Sequence, residues 1–498
     1  MGDSEHSKAD PPRFKRKAYA HFDRPLSPAK VRAFLDEPAN VARHSFWPMV
    51  ITPIRTLRRR PSDGDPKRRE WAAKIRPVGY VAHLDAHIHA HYAAIIREKL
   101  EGHYQRPFGA SILAYRQFSE ARCNLHFAYE AFDEIRRRGA CEAIALDVKG
   151  FFDSLDHEVL KSAWLTLLGT DRLPADHFAV FKSVTRDRAV LLPDLRKELG
   201  EVRRRSLRDG ARICEPEVFR TRVRPLLRHR YQLVAELKGL KPWDKKYPPS
   251  PVGIAQGTPI SANLANLYML ATDRRLHAAM EGLGGSYRRY SDDILLIVPP
   301  GRGQEAEALV QQALSEVKLQ IAVEKTCRVA FQPSDSGGHA SALGVNYERL
   351  RRGTIDYLGL SFDGQATRLR ASTISRFMIR MSRAVRRAEK AAWREHDGRT
   401  KLGKPSEPQI KCRKLYAAFA SLGKGRAYGG EKGKDVAPRP GFHYYVQRAS
   451  KLAEDVGHPA NETIARQGRQ LDQHLHQLVA KAKKRAKDGI KPRRGRRS

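Results

Sequence analysis

The run CEAIALDV (141–148) is apolar, partly β-branched and closes on an acid, Asp147. Such a run reads as a buried strand that delivers a carboxylate to its end. Period-2 alternation puts Ala143, Ala145 and Asp147 on one face, with Ile144 and Leu146 on the other. Two more acids, Asp292 and Asp293, fall between YRRY and ILLIVP, a strand, tight turn, strand pattern. A tight turn lets adjacent carboxylates reach one locus, which a straight strand forbids. A strand-end carboxylate beside such a pair suits hard cations. Magnesium favours oxygen ligands, few protein carboxylates and substrate phosphates. Two such ions about 3.5–4 Å apart can activate an attacking hydroxyl and stabilise a departing pyrophosphate. Taken singly, each aspartate is more ordinarily a turn residue or a cap.

The charge balance points to a polyanionic partner. The 498 residues hold 93 Lys and Arg against 55 Asp and Glu, a formal charge of +38. Nucleic acid is the first candidate and an acidic membrane surface the second. Residues 371–498 alone have 32 basic and 11 acidic side chains. Cys123, Cys141, Cys214, Cys327 and Cys412 are scattered without a CxxC pair, which argues against a zinc ribbon, a redox motif or a disulfide framework and favours a reducing cytosol. The start, MGDSEHSKADPPRFKRK, is too polar for a signal peptide, and His6 stands where a myristoylation signal wants Ser or Thr. No apolar run approaches the ~20 residues that span a bilayer. The expectation is a cytoplasmic protein with no membrane partner.

At 41% apolar residues most of the chain should fold, into two or three domains by length. Residues 1–20 and 481–498 read as polar tails, RRRPSDGDPKRREW (58–71) as a charged loop, and 78–100 as helical. HEVLKSAWLTLLG (157–169) reads as an amphipathic helix, and 185–250, rich in Arg and Pro, as an insertion without assignable order. Turn-rich PPSPVGIAQGTPISAN (248–263) launches a helix with Leu264, Leu267 and Leu270 on its core face. QIAVEKTCRVAF and TIDYLGLSF read as strand regions, the chain from Ser372 onward as helical and basic, and 423–441 as a flexible loop. Alternating strands and helices followed by helices alone give an α+β core with a helical end.

LDVKGFFDSLDH (146–157), QGTPISANLANLYM (256–269), YSDD (290–293), VEKT (323–326) and YLGLSF (357–362) occur in that order. Together they resemble the ordered palm motifs of reverse transcriptases, closest to bacterial ones of the group II intron, retron and phage-defence types. The resemblance spans roughly residues 74–362; KIRPVGY (74–80) and SILAYRQFSEARCNLHFA (111–128) are similar to the fingers region more loosely. It implies a right-hand polymerase: fingers over 21–140, palm with an antiparallel sheet and helices over 141–365 including the insertion, helical thumb over 366–425, an α-helical extension over 426–480 and a basic tail.

Carried over residue by residue, the resemblance makes Asp147, Asp292 and Asp293 ligands of two magnesium ions, with manganese a substitute and the Val148 carbonyl a further ligand. Lys325 becomes the acid for the leaving pyrophosphate; otherwise it is an ordinary exposed strand lysine. Phe152 becomes the gate that admits deoxyribose and excludes a 2′-hydroxyl, although Phe151 and Phe152 also suit a core. Gln256 and Gly257 match the motif that meets nucleotide and template. Arg116 matches an arginine gripping the triphosphate, with Lys74 and Arg76 secondary candidates for that task. YLGLSF is the hairpin supporting the primer end. Two features depart from the commonest pattern: Ser291 replaces the more frequent Ala, and about 100 residues separate Asp153 from Gln256.

Arg376, Arg380, Arg383 and Arg387 recur at helical spacing, which fits a thumb helix on a duplex backbone or a merely solvated face. His83, His87 and His91 also recur at helical spacing, with Asp85 and His89 nearby, but no HExxH completes a metalloprotease motif; a polar or nucleic-acid-facing surface is the better reading. The expected activity is RNA-directed DNA synthesis from dNTPs, with a noncoding RNA as template, a DNA product and homo-oligomerisation left open. With no endonuclease, integrase or RNase H signature, phage defence is the first expectation and a retron- or intron-like role the second. Rival readings are an RNA-directed RNA polymerase and a nonenzymatic, maturase-like RNA-binding protein.

Overall fold

The computed structural model describes residues 17, 19–61, 69–200, 212–245, 252–333, 338–404, 407–420, 442–455, 457–458 and 460–492. Its strands are β1 (Met49–Pro61), β2 (Arg69–Tyr80), β3 (Cys141–Asp147), β4 (Arg188–Leu191), β5 (Arg228–His229), β6 (Ser286–Tyr290) and β7 (Asp293–Val298). They continue as β8 (Cys327–Gln332), β9 (His339–Leu343), β10 (Arg349–Arg352), β11 (Ile355–Tyr357), β12 (Leu360–Phe362) and β13 (Thr367–Leu369). The fold is mixed α+β. A six-stranded sheet, ordered β10-β9-β8-β3-β7-β6, is antiparallel at every pairing described.

β3 and β7 are neighbouring interior strands of that sheet, and both of their faces are apolar, the pattern of a strand covered on both sides. Ile144, Leu146, Ile294 and Leu296 pack under the helices His157–Leu168, Ser261–Gly282 and Gly303–Glu316. Ala143, Leu295, Ile297 and Phe331 pack against the helix Asn124–Arg138, the β11–β13 sheet and the helix Phe442–Asp455. The 261–282 helix buries Leu264 and Leu267 completely, as its spacing predicts. Both carboxylate-bearing strand ends are thereby fixed by two cores at once.

The segment 185–250, expected without order, holds defined elements. β4 pairs in parallel with β1, and β5 adds to β4, giving a second sheet ordered β2-β1-β4-β5. Val190, Leu192 and Leu195 are buried with Phe22 and Val50, an apolar spacing that the surrounding arginines obscured. The charged loop expected at 58–71 is shorter than its composition suggested: β1 runs through Pro61 and β2 resumes at Arg69. The helix expected from Val78 begins at His83 instead, since β2 continues to Tyr80.

The histidine-bearing helix, His83–His103, is not an outward polar surface. His83 and His89 are buried, His83 Nδ1 lies 2.7 Å from Asp23, and His89 Nε2 lies 2.9 Å from Ser183. Asp85 meets His44 at 2.7 Å and accepts the Trp47 amide. VEKT forms a single 3₁₀ turn, Val323–Lys325, in place of a strand. The helix Asn461–Lys487 extends into the stretch expected as a basic tail, while most of the N-terminal tail and the 423–441 loop lie outside the described residues.

The helix Ala371–Lys401 buries Phe377, Met381 and Val385 against Leu471, Leu475 and Val479 of the 461–487 helix. The helix Phe442–Asp455 is part of the main core: Tyr129 donates to the Ala449 carbonyl at 2.6 Å. No helix among the described residues is long and apolar enough to cross a membrane.

One ion pair is fully interior. Arg289 on β6 bonds both carboxylate oxygens of Asp273 on the 261–282 helix, at 2.7 and 2.5 Å, with the side chains 1% and 0% exposed. Tyr287 donates to the same carboxylate at 2.8 Å. Removing one member of such a pair strands the other charge in a low dielectric. Arg289→Met is expected to lower unfolding stability by about 3–5 kcal/mol, and the Arg289→Met/Asp273→Leu double variant to recover most of that loss; urea denaturation of the three proteins checks this.

Candidate active site

The antiparallel register of β3 and β7 places Asp147 directly opposite Asp293. Opposed residues have Cα atoms about 4.5–5.5 Å apart and share a face, so the two carboxylates emerge side by side. Tyr290 pairs with Asp293, leaving Ser291 and Asp292 as a two-residue hairpin loop. Ser291 occupies it with φ +61°, the left-handed conformation such hairpins require at their first position. The Asp292 carbonyl accepts the Val148 amide at 3.0 Å, which locks the turn to the end of β3.

The other edge of β3 is held by residues 320–322. Lys149 donates to the Gln320 carbonyl, and Ala322 donates to that of Asp147, both at 2.8 Å. Those bonds leave the Val148 carbonyl outside the pairing. The 3₁₀ turn that follows folds Lys325 back, and its ammonium bonds the Asp147 carboxylate. Three acids thus converge on one place from two separate parts of the chain, with one lysine from a third set against them.

Crowding of like charge shows in the proton affinities. Burial raises the Asp292 carboxyl above its ordinary range, and the Asp147 charge adds to the effect. Asp293 is pushed up to about 6 by burial, then by Asp292 and Asp147, with Arg370 and Lys325 offsetting part of it. Three carboxylates and a backbone carbonyl are a donor set for a hard divalent ion, and their mutual repulsion is what such an ion relieves. The side chains are not drawn into a closed cage: among the described residues no three His, Cys, Asp or Glu form one. Lys325 holds the position of a counter-cation on Asp147.

A floor leads away from the acids. The carbonyls of Phe152 and Leu155 accept the amides of Ile254 and Gly253 at 2.8 and 2.7 Å, and the Gln256 carbonyl accepts the Gly79 amide at 2.9 Å. Phe151 is core, whereas Phe152 is half-buried beside it. Gly257 has φ +104°, and a Cβ there would stand 2.7 Å from the Gly79 carbonyl oxygen and 2.9 Å from Val78 Cγ1. Lys74, Arg76 and Val78 alternate onto one face of β2, so both cations lie on the side turned toward Gln256 and Gly257. Phe152 is thus bonded to the strip that leads to Gln256 and Gly257, and that strip meets β2, the strand that carries Lys74 and Arg76.

Arg116 is the exception. Its Nε bonds Glu101 at 3.0 and 2.9 Å, its Nη1 donates to the carbonyls of Gly109 and Ile112, and its guanidinium lies 4.2 Å from the Tyr104 ring centre. With the side chain only 8% exposed, it fastens the 101–116 region together, and the triphosphate-gripping role expected of it does not fit. Arg376, Arg380, Arg383 and Arg387 are exposed along one flank of their helix, with the Arg380 guanidinium 5.6 Å from the Phe377 ring centre. They form a basic stripe.

Several supporting residues were missed in the sequence. Arg289 Nη1 donates to the Ser291 carbonyl at 3.1 Å, coupling the buried ion pair to the turn that presents Asp292. Asn266 accepts from Arg289 at 3.3 Å and donates to the Ala114 carbonyl at 2.9 Å. The signal was present: Asn266 and Asp273 are seven residues apart on the core face of an apolar helix, where polar groups need partners. Arg230, from the stretch without assigned order, is paired with Asp187 at 2.9 Å and donates to the Gly253 carbonyl at 2.5 Å, bracing the floor. A cleft of about 290 Å³ beside Asp293 is lined by Tyr290, Asp356, Tyr357, Gly359 and Arg370. The β11–β12 hairpin forms one wall of it, with Leu358 and Gly359 at positive φ in the turn.

No protein-family model matches the chain, and no curated protein does. Three solved telomerase structures are similar to it. An apo telomerase from Candida tropicalis truncated from the C-terminal domain has TM-score 0.35 and 9% identity, over 63% of this chain and 53% of that one. A Candida albicans telomerase in complex with a fragment of telomeric RNA has TM-score 0.32 and 11% identity, over 71% and 52%. A further apo Candida tropicalis telomerase has TM-score 0.33 and 10% identity, over 95% and 67%. The chain spans about half the length of the first two. Likeness at this level assigns no activity.

A carboxyl whose folded pKa is raised stabilises the fold below its unfolded pKa and loses that contribution as pH rises through the folded value. For Asp293 the window runs from its ordinary value of 3.8 to about 6. In EDTA, Asp293→Asn is expected to melt higher than the wild type at pH 7.5 and to show no such gain at pH 3.5; thermal melts at the two pH values check this.

Proposed function

We propose that the chain is an RNA-directed DNA polymerase of the reverse-transcriptase type, cytoplasmic, copying a noncoding RNA into DNA. The observation that carries this reading is the register of β3 against β7, which sets Asp147 opposite Asp293 with Asp292 in the adjoining turn. The six-stranded sheet serves as palm, the β1–β2 hairpin and its sheet as fingers, and the 371–401 helix as thumb. The role in phage defence follows from the motif resemblance alone, and no residue of the site bears on it.

Asp147, Asp292, Asp293 and the Val148 carbonyl would hold divalent ions, magnesium or manganese. Bound there, such ions supply charge neutralisation for the α-phosphate and the leaving pyrophosphate. The remaining work belongs to the chain's own groups. Lys74 and Arg76 draw the triphosphate toward the floor by charge, and Gln256 and Gly257 let the nucleotide approach the backbone closely. Phe152 supports the sugar and leaves no room for a 2′-hydroxyl. The primer 3′-hydroxyl gives up its proton to solvent and forms the new bond to the α-phosphorus as the bond to pyrophosphate breaks. Lys325, released from Asp147, gives a proton to the departing pyrophosphate. The exposed arginines of the 371–401 helix hold the duplex through its phosphates.

Purified protein given a DNA primer annealed to RNA, dNTPs and magnesium is expected to extend the primer, and Asp292→Ala/Asp293→Ala to slow extension by about 10³-fold or more while leaving hybrid binding in gel shifts intact. Preference for ribonucleotides would favour an RNA polymerase, and RNA binding without synthesis a maturase-like protein. Phe152→Ala is expected to raise ribonucleotide incorporation relative to deoxynucleotides by on the order of 10–100-fold, measured by single-nucleotide addition.

A further inference from the structure

Beside the turn that presents Asp292, one aromatic residue is held in an unfavourable conformation and is unused by the core. Tyr115 has φ +62° and is 44% exposed. A left-handed backbone at a bulky non-glycine residue costs about 1–2 kcal/mol, so the surroundings must impose it. They do so from both sides. Ile112 bridges Arg289 in parallel, with the Leu113 amide donating to the Arg289 carbonyl at 2.9 Å. Asn266 holds the Ala114 carbonyl at 2.9 Å, and Arg116 is clamped by Glu101. Between these anchors the Tyr115 hydroxyl reaches Ser291 Oγ, a long contact of 3.4 Å.

This position is defined by the reaction. If the three aspartates hold ions at a primer 3′-hydroxyl, a side chain touching the residue before Asp292 lies against the base pair at the primer terminus. In the A-form geometry of an RNA–DNA hybrid the minor groove is wide, shallow and open to side chains. Its acceptors, purine N3 and pyrimidine O2, are present in every Watson–Crick pair, so a single hydroxyl donor can engage any correct pair without reading sequence. A mismatch displaces those acceptors.

We propose that Tyr115 is a specificity residue that senses the geometry of the terminal base pair, its ring against the minor-groove edge and its hydroxyl donating to the purine N3 or pyrimidine O2 found there. The ligand is the end of an RNA–DNA hybrid, and the inference rests on the polymerase reading of the same site. The backbone strain at Tyr115 has a purpose in this account: it turns the ring out of the 111–116 segment and over the catalytic turn. Neither the motif order nor the residue spacing marks Tyr115 for this role.

The experiment compares wild type with Tyr115→Phe, which keeps the ring and removes the donor, on hybrids with matched and mismatched primer termini. Extension from matched termini is expected to fall about tenfold, the effect of one hydrogen bond, with mismatched extension unchanged, so discrimination falls by the same factor. A terminal 3-deazapurine, which lacks the N3 acceptor, should slow the wild type by that factor and have no further effect on Tyr115→Phe. Equal discrimination by both proteins, or additive effects of the two changes, overturns the inference while wild-type extension leaves the polymerase reading standing. Failure of the wild type to extend any primer overturns the polymerase reading itself. A binding readout then decides where Tyr115 lies. With p-benzoylphenylalanine in place of Tyr115, photocrosslinks within two nucleotides of a recessed 3′ end support the contact, and crosslinks elsewhere or absent reject it.

Discussion

Arg289 and Asp273 form a charge pair buried from solvent, and the acid cluster is built outward from it. A guanidinium in a low-dielectric interior must have its donors satisfied, and Arg289 meets that demand through Asp273, Asn266 and the Ser291 carbonyl. The last of these bonds fixes the turn whose next residue is Asp292. Asn266 in turn grips the strip that ends in Tyr115. One buried pair therefore positions the hairpin turn, the helix behind it and the segment beside it. A buried pair adds little net stability compared with an apolar replacement. Its contribution here is geometric, since it permits a single arrangement of three chain segments.

Against that fixed frame stands a deliberate instability. Asp147, Asp292 and Asp293 are held close together and partly out of water, and burial together with mutual repulsion raises the proton affinity of Asp292 and Asp293. Left alone, the cluster weakens the folded state above about pH 6. Among the described residues, Lys325 is the cation bonded directly to one of the acids. Such an arrangement is sensible where the opposing charge arrives from outside, and it is the reason the proposed chemistry is one of positioning and charge neutralisation. The strained Ser291 and Tyr115 backbones, side by side, belong to the same pattern of local cost concentrated at one site.

The 185–250 stretch changes meaning once its contacts are known. Arginine and proline hide the short apolar run that makes β4, and β5 has no apolar residue at all, yet these strands complete the sheet that contains Lys74 and Arg76. Through Arg230 on the Gly253 carbonyl and Lys238 on Asp153, the same stretch braces both ends of the floor between Phe152 and Gln256. The terminal helices are similarly integrated: the Tyr445 hydroxyl stands 2.9 Å from where a side chain on Gly359 would begin, at the turn beside the cleft.

The sequence by itself determined the elements whose signals are local. Apolar runs marked β3 and β7, the Asp292–Asp293 turn was legible from its flanking strands, and helical spacing located the faces of the 157–168, 261–282 and 371–401 helices. The candidate acids were legible as a combination, a strand-end carboxylate beside a pair in a neighbouring turn, where any one of them alone reads as a turn residue or a cap. What depended on distant partners was decided only by the tertiary structure. Arg116 looked like a phosphate ligand until Glu101 neutralised it, the histidine helix looked polar until Asp23 and Ser183 buried it, and Arg289 looked like any strand arginine. Charge and polarity are properties of a residue, but whether they face solvent or a partner is settled by packing across hundreds of positions, and no periodicity encodes that.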